Sequence, residues 1–396
     1  MTSRLDSLRL GDVCIKIGSG ATPRGGKDSY LTEGPYTLVR SQNVLNNAFS
    51  WDGLVRISEK QAAALDGVSL SVNDVLLNIT GDSVARACQV DARALPGRVN
   101  QHVAIIRPDG SVLDPGFLRY YLTSPAMQAH MLAMAGAGAT RSALTKSMIE
   151  DFVVLAPGIE IQRQIARILG RLDTKIELNQ RIQSTMDELS TSLFEELLTR
   201  GRTSDGVLAH GWREGVVADV ARVSSGKRPG ERSKQMCEGC TVPLYGGAGV
   251  MGYTTEPLFE ESVLLTGRVG TLGVVMQTNG GSWPSDNTLV IRPMEDRWLR
   301  FLFHALQQMN LIGLNRGSTQ PLLSQADLKS QRLLIPPDKV LDEFRSVVEP
   351  MYLRSVAAER QSFSLAGVRD TLAPRLLSGE LSIRDDATVE PVGQHG

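Results

Sequence analysis

The sequence predicts an α+β chain: two similar domains of mixed helix and strand, each followed by a long helix, with the two helices pairing with one another. Three observations carry this. The same order of short apolar and Gly/Pro signatures occurs twice, from Leu10 to Leu198 and from Val217 to Leu377. Each copy closes on a long run of heptad-spaced apolar residues. The 396 residues suffice for two domains with proper cores, and the repeat is too long for a solenoid unit.

The repeat fixes the order of elements. Asp12-Val13, Gly20 and Pro23 are matched by Asp219-Val220, Gly226 and Pro229. Val75-Leu76-Leu77 returns as Val263-Leu264-Leu265, and Ile106-Arg107-Pro108 as Ile291-Arg292-Pro293. Leu118-Arg119, after Phe117, returns as Leu299-Arg300 after Trp298. From there the copies run at a constant offset, so that Thr140, Leu144 and Pro157 meet Thr319, Leu323 and Pro336. Residues 1–156 are expected to form the first domain, 157–206 its helix, 207–336 the second domain, 337–380 its helix, and 381–396 a disordered tail. Val75–Leu77, Val103–Ile106, Val263–Leu265 and Leu289–Ile291 read as short buried strands, Phe117–Leu122 and Trp298–Leu306 as helices. Lys16–Gly26, Tyr245–Tyr253 and Gly267–Gly281 read as Gly-rich turns. The polar loops Gly136–Ser142 and Asn315–Gln320 carry side chains that read base edges or hold phosphates.

The helical segments have a coiled-coil seam. In the first it runs through Ile161, Ile165, Ile168, Leu172, Lys175, Asn179, Ile182, Met186, Leu189, Leu193 and Glu196. In the second it runs through Val340, Phe344, Val347, Met351, Arg354, Ala358, Gln361, Leu365, Val368, Leu372 and Arg375. Most positions are apolar, and neither helix buries its stripe alone, so they pair. Asn179 and Gln361 are polar seam positions suited to fixing register. Pro336-Pro337-Asp338 marks a helix start and Gly201 and Gly379 mark helix ends. Pro350 predicts a kink or restart.

Composition excludes several classes. No apolar run is long enough for a membrane span, and no signal-peptide pattern opens the chain, so a cytoplasmic protein without membrane contact is expected. Net charge is −1, so a basic nucleic-acid face must arise from folding. One basic run stands out: Arg222, Lys227, Arg228, Arg232 and Lys234 against Glu231. Cys237-x-x-Cys240 has the spacing of half a zinc site or of a redox pair. No second pair and no nearby His completes a zinc site, so a loop with two thiols and no metal is expected.

The residues quoted so far, with three further stretches, resemble the specificity subunit of type I restriction–modification systems. Ile161-Gln162-Arg163-Gln164-Ile165, with Leu169, Leu172-Asp173, Ile176-Glu177 and Asn179, is similar to that family's central helix. Ser318-Thr319-Gln320-Pro321-Leu322-Leu323-Ser324-Gln325-Ala326-Asp327-Leu328, ending at Ile335-Pro336-Pro337, is similar to the end of a recognition domain. Tyr245-Gly246-Gly247-Ala248-Gly249-Val250-Met251-Gly252-Tyr253 is similar to a Gly-rich segment of such domains. The resemblance spans roughly residues 5–383. Two departures stand against it: Leu341-Asp342 replaces the Glu-Gln pair common at the start of the second helix, and the Tyr-to-Tyr segment has no counterpart in the first domain.

The resemblance implies two target-recognition domains whose helices pack antiparallel. It implies a chain without catalytic residues that binds a bipartite, asymmetric site in double-stranded DNA. Two methyltransferase subunits, using S-adenosylmethionine at adenine N6, and restriction subunits, using ATP and Mg, would be its partners. DNA contacts are expected from Thr22, Arg24, Lys27, Arg40, Asn43, Thr80, Arg141 and Ser142 in the first domain. In the second they are expected from Lys227, Arg228, Tyr245, Arg268, Asn287, Arg316, Ser318 and Thr319. Partner contacts are expected at Ile161, Ile165, Leu172, Asn179, Phe344 and Met351. The chain itself lacks the Asn/Asp-Pro-Pro-aromatic motif of an adenine methyltransferase, a P-loop and a nuclease constellation. A coiled-coil scaffold without DNA specificity is the alternative reading, supported by the near-neutral charge.

Overall fold

In a computed structural model, residues 5–136, 143–317, 320–383 and 389–391 are described. The chain divides into two compact units, residues 1–179 with 360–396, and residues 180–359. The division cuts through both long helices, so each unit holds one recognition domain and one half of the helix pairing.

The first unit is built on an antiparallel four-stranded sheet in the order Cys14–Ser19, Val103–Pro108, Val75–Asn78, Ala87–Gln89. Its apolar strands are buried on both faces, which is why they read as continuous runs rather than alternations. Along Val103–Pro108, Ala104 and Ile106 face one core with Phe117, Leu118 and Leu169, while Val103 and Ile105 face another with Val39, Leu76 and Val99. A three-stranded sheet (Tyr36–Val39 central, antiparallel to Val55–Ile57, parallel to Gly97–Val99) covers the second face. A ribbon of Asp6–Arg9 against Val153–Ala156 returns the chain to the long helix. Asp114 starts the helix Pro115–Leu122 by accepting the Phe117 N–H at 2.9 Å.

The second unit repeats this plan. Its four strands are Ala221–Ser225, Thr288–Pro293, Leu264–Gly267 and Val275–Gln277, again in antiparallel order. Leu264, Leu289 and Ile291 face one core, and Val263, Leu265 and Val290 the other. Its three-stranded sheet has Val242–Gly246 antiparallel to Gly249–Thr254 and parallel to Trp283–Pro284. The Tyr-to-Tyr segment therefore does have a counterpart in the first domain. The strands Tyr36–Val39 and Val55–Ile57 stand in the same relation, but a long excursion from Arg40 to Leu54 separates them where Gly247-Ala248 makes a tight turn. Sequence signatures of a tight hairpin vanish when the turn becomes a loop. Lys16–Ser19, read as part of a turn, is strand.

Gly20 and Gly226 have the same physical reason to be glycine. A Cβ at Gly20 would lie 1.7 Å from the Val99 carbonyl oxygen, and one at Gly226 would lie 2.2 Å from that of Ser285. Both mark where the first sheet strand passes over the three-stranded sheet.

The long helices span Ile159–Arg200 and Asp338–Leu377. The second runs unbroken through Pro350, against the restart expected there. Within the first unit, Asn179 donates to Gln361 Oε1 at 3.0 Å and Arg369 pairs with Asp173 at 2.9 Å, an antiparallel arrangement. Within the second, Phe194 and Phe344 meet edge-on with centroids 6.0 Å apart. Half of the expected seam is displaced by one residue. Ile165, Leu172, Phe344 and Ala358 face inward, but Leu169, Ser190, Leu197, Val348 and Leu376 are buried where Ile168, Leu189, Glu196, Val347 and Arg375 were expected. Each helix also packs on its recognition domain, which draws the inward face toward the following residue.

The tail differs from the expected disorder: Leu381–Ile383 pairs with Val389–Pro391, and Leu381 is buried.

Candidate nucleic-acid interface

The repeat brings the same places together in both units. In the first, the Ile79 N–H donates to the His102 carbonyl at 3.0 Å, and the Leu144 N–H to the Ile79 carbonyl at 2.8 Å. In the second, Arg268 N–H donates to the Asn287 carbonyl at 2.8 Å, and Leu323 N–H to the Arg268 carbonyl at 2.9 Å. Each sheet thus ends where two central strands meet the segment at Leu144 or Leu323. Further loops join this end. Gly20 N–H donates to the Asn100 carbonyl at 3.2 Å, bringing in the segment with Thr22, Arg24 and Lys27. Lys227 N–H donates to the Pro284 carbonyl at 3.0 Å, and Ser285 N–H to the Tyr245 carbonyl at 2.9 Å.

Seven of the sixteen expected contact residues lie on this edge with no side-chain partner among the described residues. Thr22, Arg24, Lys27, Lys227, Arg228 and Asn287 are exposed, and Arg268 is half-buried. Among the described residues, no carboxylate lies within ion-pair distance of Arg24, Lys27, Lys227, Arg228 or Arg268. Unpaired cations on loops anchored by backbone bonds are suited to phosphates and base edges.

Others are already engaged. Asn43 is fully buried: it accepts the Arg40 N–H and donates to the Ser50 and Asp52 carbonyls at 3.0 and 3.1 Å. It holds the Arg40–Leu54 excursion in shape and has no free group for DNA. Arg40 donates to the Gly53 carbonyl and covers the Tyr30 ring at 5.3 Å. Thr80 Oγ1 lies 2.6 Å from His102 Nδ1, while Gln101 Nε2 lies 3.0 Å from His102 Nε2. Arg316 is exposed but paired with Asp327. Ser324 and then Arg316 hold that carboxyl below its ordinary range. Tyr245 is half-buried, and burial raises its phenol. Arg141, Ser142, Ser318 and Thr319 lie outside the described residues. Sequence reading passed over Arg86, exposed with its carbonyl bonded to Asn78 N–H at 2.8 Å. A basic residue closely following a buried strand was the available signal.

The expected partner-contact residues turn inward. Ile165, Asn179 and Phe344 are buried, Ile161 and Leu172 pack against the first core, and Met351 is half-buried. The apolar surface of Ile161, Ile165, Leu172 and Phe344 is spent within the chain. The exposed large apolar residues on the long helices are instead Leu178, Leu189, Val347, Leu353, Phe363 and Val368, Phe363 being 85% exposed.

Each recognition domain is fastened to the helix after it by the repeated arginine. Arg119 pairs with Asp173 at 3.1 Å, and Asp173 also accepts the Tyr120 hydroxyl and Arg369. Arg300 makes a two-pronged pair with Glu349 at 2.8 and 3.0 Å and lies 3.2 Å from the centroid of the Tyr352 ring. A two-pronged arginine–carboxylate pair fixes direction as well as distance.

The sequence model of the type I restriction–modification DNA specificity domain matches residues 4–187 and 210–341. The chain belongs to this family. Its two matches coincide with the two copies of the fold, and the family's specificity subunits are the non-catalytic, DNA-recognising components of their complexes. The MjaIX specificity subunit of Methanocaldococcus jannaschii is 22% identical over 314 residues, covering 71% of this chain and 72% of that protein. The HindI specificity subunit of Haemophilus influenzae is 21% identical over 434 residues, covering 87% and 94%. The crystal structure of a type I S subunit from M. genitalium shares the fold with a TM-score of 0.69 at 16% identity, covering 95% of this chain and 96% of that one. Among the described residues no helix is long and apolar enough to cross a membrane, and no group of three or more His, Cys, Asp or Glu is placed to hold a metal ion.

Proposed function

We propose that this specificity subunit reads a bipartite, asymmetric DNA site, one half with each recognition domain. The observation that supports it is a shared framework with unlike edges. Where the second domain has half-buried Arg268 and exposed Asn287 at the ends of its two central strands, the first has buried Ile79 and half-buried His102. Two sites of the same construction and different chemistry favour two different half-sites. The helix pair sets the distance between them. Two N6-adenine methyltransferase subunits, each with S-adenosylmethionine, dock on the subunit, and a restriction subunit using ATP and Mg completes the assembly. Double-stranded DNA binds with the exposed cations on its phosphates.

Mapping of N6-methyladenine in cells with and without the gene tests this. Loss of one two-part motif with unlike halves is the expected result, and an unchanged map in a strain expressing the partners sinks it. Within the motif, Arg268→Ala is expected to cost about 1–3 kcal/mol of binding and to relax one position of a single half-site. Lys227→Ala is expected to weaken all sequences alike and to lower the salt slope by roughly 1.

A further inference from the structure

The basic loop of the second recognition domain ends in a pair of cysteines that DNA recognition does not use. Cys237 N–H donates to the Cys240 carbonyl at 3.2 Å, and Cys240 N–H to the Cys237 carbonyl at 3.0 Å. The two residues form a reciprocally bonded antiparallel pair across the turn Glu238-Gly239, with Gly239 at φ +84°. Such a pair places its Cα atoms about 5.5 Å apart, within the range a disulfide spans. Cys237 is exposed and Cys240 half-buried. Partial desolvation and the hydrogen-bonded Cys237 sulfur hold the Cys240 thiol above its ordinary value. The other two cysteines are unlike them: Cys14 and Cys88 are more enclosed, and burial pushes both thiols up to about 12.

The turn closely follows in sequence the segment carrying Lys227, Arg228, Arg232 and Lys234. Trp283 Nε1–H donates to the Lys227 carbonyl at 2.8 Å, and Ser233 and Tyr253 exchange backbone bonds at 2.8 Å. Past Ser233, a bond from Ser233 Oγ to the Gln235 carbonyl at 2.6 Å and then the cysteine turn shape the loop before the strand that begins at Val242.

We propose that Cys237 and Cys240 are a redox-active dithiol that closes to an intramolecular disulfide by exchange with a small disulfide, fixing the basic loop of the second domain. The more exposed Cys237 thiolate attacks one sulfur of the small disulfide, forming a mixed disulfide and releasing one thiol. Cys240 then gives up its proton and attacks the Cys237 sulfur, releasing the second thiol. Two protein thiols are oxidised to one disulfide, and one small disulfide is reduced to two thiols. The exposed position marks the bond as readily reopened rather than a permanent staple. A fixed loop presents its cations with less ordering cost, so the oxidised form binds duplex DNA more tightly.

The full-length protein is equilibrated with mixtures of reduced and oxidised glutathione, quenched in acid and alkylated. Peptide Gln235–Arg268 holds both cysteines and no other. Both alkylatable thiols are expected to disappear together with loss of two hydrogens and no glutathione adduct, whereas Cys240→Ser traps glutathione on Cys237. A lasting glutathione adduct on the unsubstituted chain, or thiols that stay alkylatable at the oxidised end of the series, overturns the assignment. Random-sequence duplex is then titrated with each form at several salt concentrations. Binding about three to ten times tighter after oxidation is expected, and absent in the Cys237→Ser/Cys240→Ser variant. Equal affinity of the two forms overturns the loop-fixing role. The thiol titration needs no DNA, so it succeeds or fails independently of the DNA-recognition reading.

Discussion

Asn43 and Arg268 are both polar residues in loops after buried strands, yet the fold uses them differently. Asn43 is enclosed and bonded on three sides, whereas Arg268 keeps its guanidinium free of carboxylates. Asn43→Ala is expected to destabilise the first unit by about 1–3 kcal/mol in urea unfolding, because it leaves buried backbone groups unpaired. A second prediction concerns His304, which is buried against Phe194 with ring centroids 5.6 Å apart. Burial, then the nearby Arg300, lowers its pKa from 6.5 to about 4. The folded state therefore holds a neutral imidazole, and the unfolded chain takes up the proton first. Its contribution to stability is full above pH 6.5 and falls as pH drops toward 4, by up to about 1.4 kcal/mol per pH unit. Urea unfolding from pH 7 to 4 of His304→Leu should show a shallower decline than the parent chain. An equal decline would mean that carboxylates alone carry it. Sequence could suggest both loops but not which polar side chain was committed inward, since that depends on what the loop folds over.

At the scale of elements, periodicity and repetition carried most of the information. The buried strands, the two long helices and the paired Gly20 and Gly226 were legible because each has a local signature: an apolar run, a heptad, a residue type that tolerates close approach. The seam was legible only in half. Ile165 and Leu172 follow the expected heptad, but its companions shift from Ile168 to Leu169 and from Leu189 to Ser190. A heptad read from one chain does not say which side another body packs on. Likewise, Gln162 is buried and bonded to the Val112 and Pro157 carbonyls at 3.1 and 2.8 Å, while Leu341 fills the equivalent place in the second core. One polar anchor and one apolar plug serve the same junction, which is why the second helix departs from the expected pair. The arginine latches belong to this scale too. Asp173→Ala leaves Arg119, Tyr120 and Arg369 without their shared acceptor and is expected to cost about 3 kcal/mol in the first unit. Thermal unfolding that matches the parent chain would show the carboxylate to be dispensable.

For the molecule as a whole, the family and the doubled fold were readable before any coordinates, whereas the nucleic-acid face was not. Net charge is −1, and Arg24, Lys27, Lys227, Arg228 and Arg268, without a carboxylate partner among the described residues, are brought to sheet ends by backbone bonds between segments far apart in sequence. That gathering carries a prediction about salt. Binding to any duplex should weaken steeply as salt rises, with a log–log slope of about −0.9 per phosphate neutralised. A flat response would place recognition on uncharged contacts and away from Arg24, Lys27, Lys227 and Arg228.

The first unit is assembled from two stretches far apart in sequence, residues 1–179 and 360–396. Leu376, Leu377 and Leu381 share one core with Leu10, Val75 and Phe117. A ribosome makes the first of these residues long before the last. The opening domain must therefore wait, partly unsealed, while the second domain is being synthesised. A chain stopped before Leu376 leaves this core uncovered, open to proteases and chaperones. Synthesis of Leu376, Leu377 and Leu381 thus seals a core that Leu10 begins, and the first reading head is closed only once they are made.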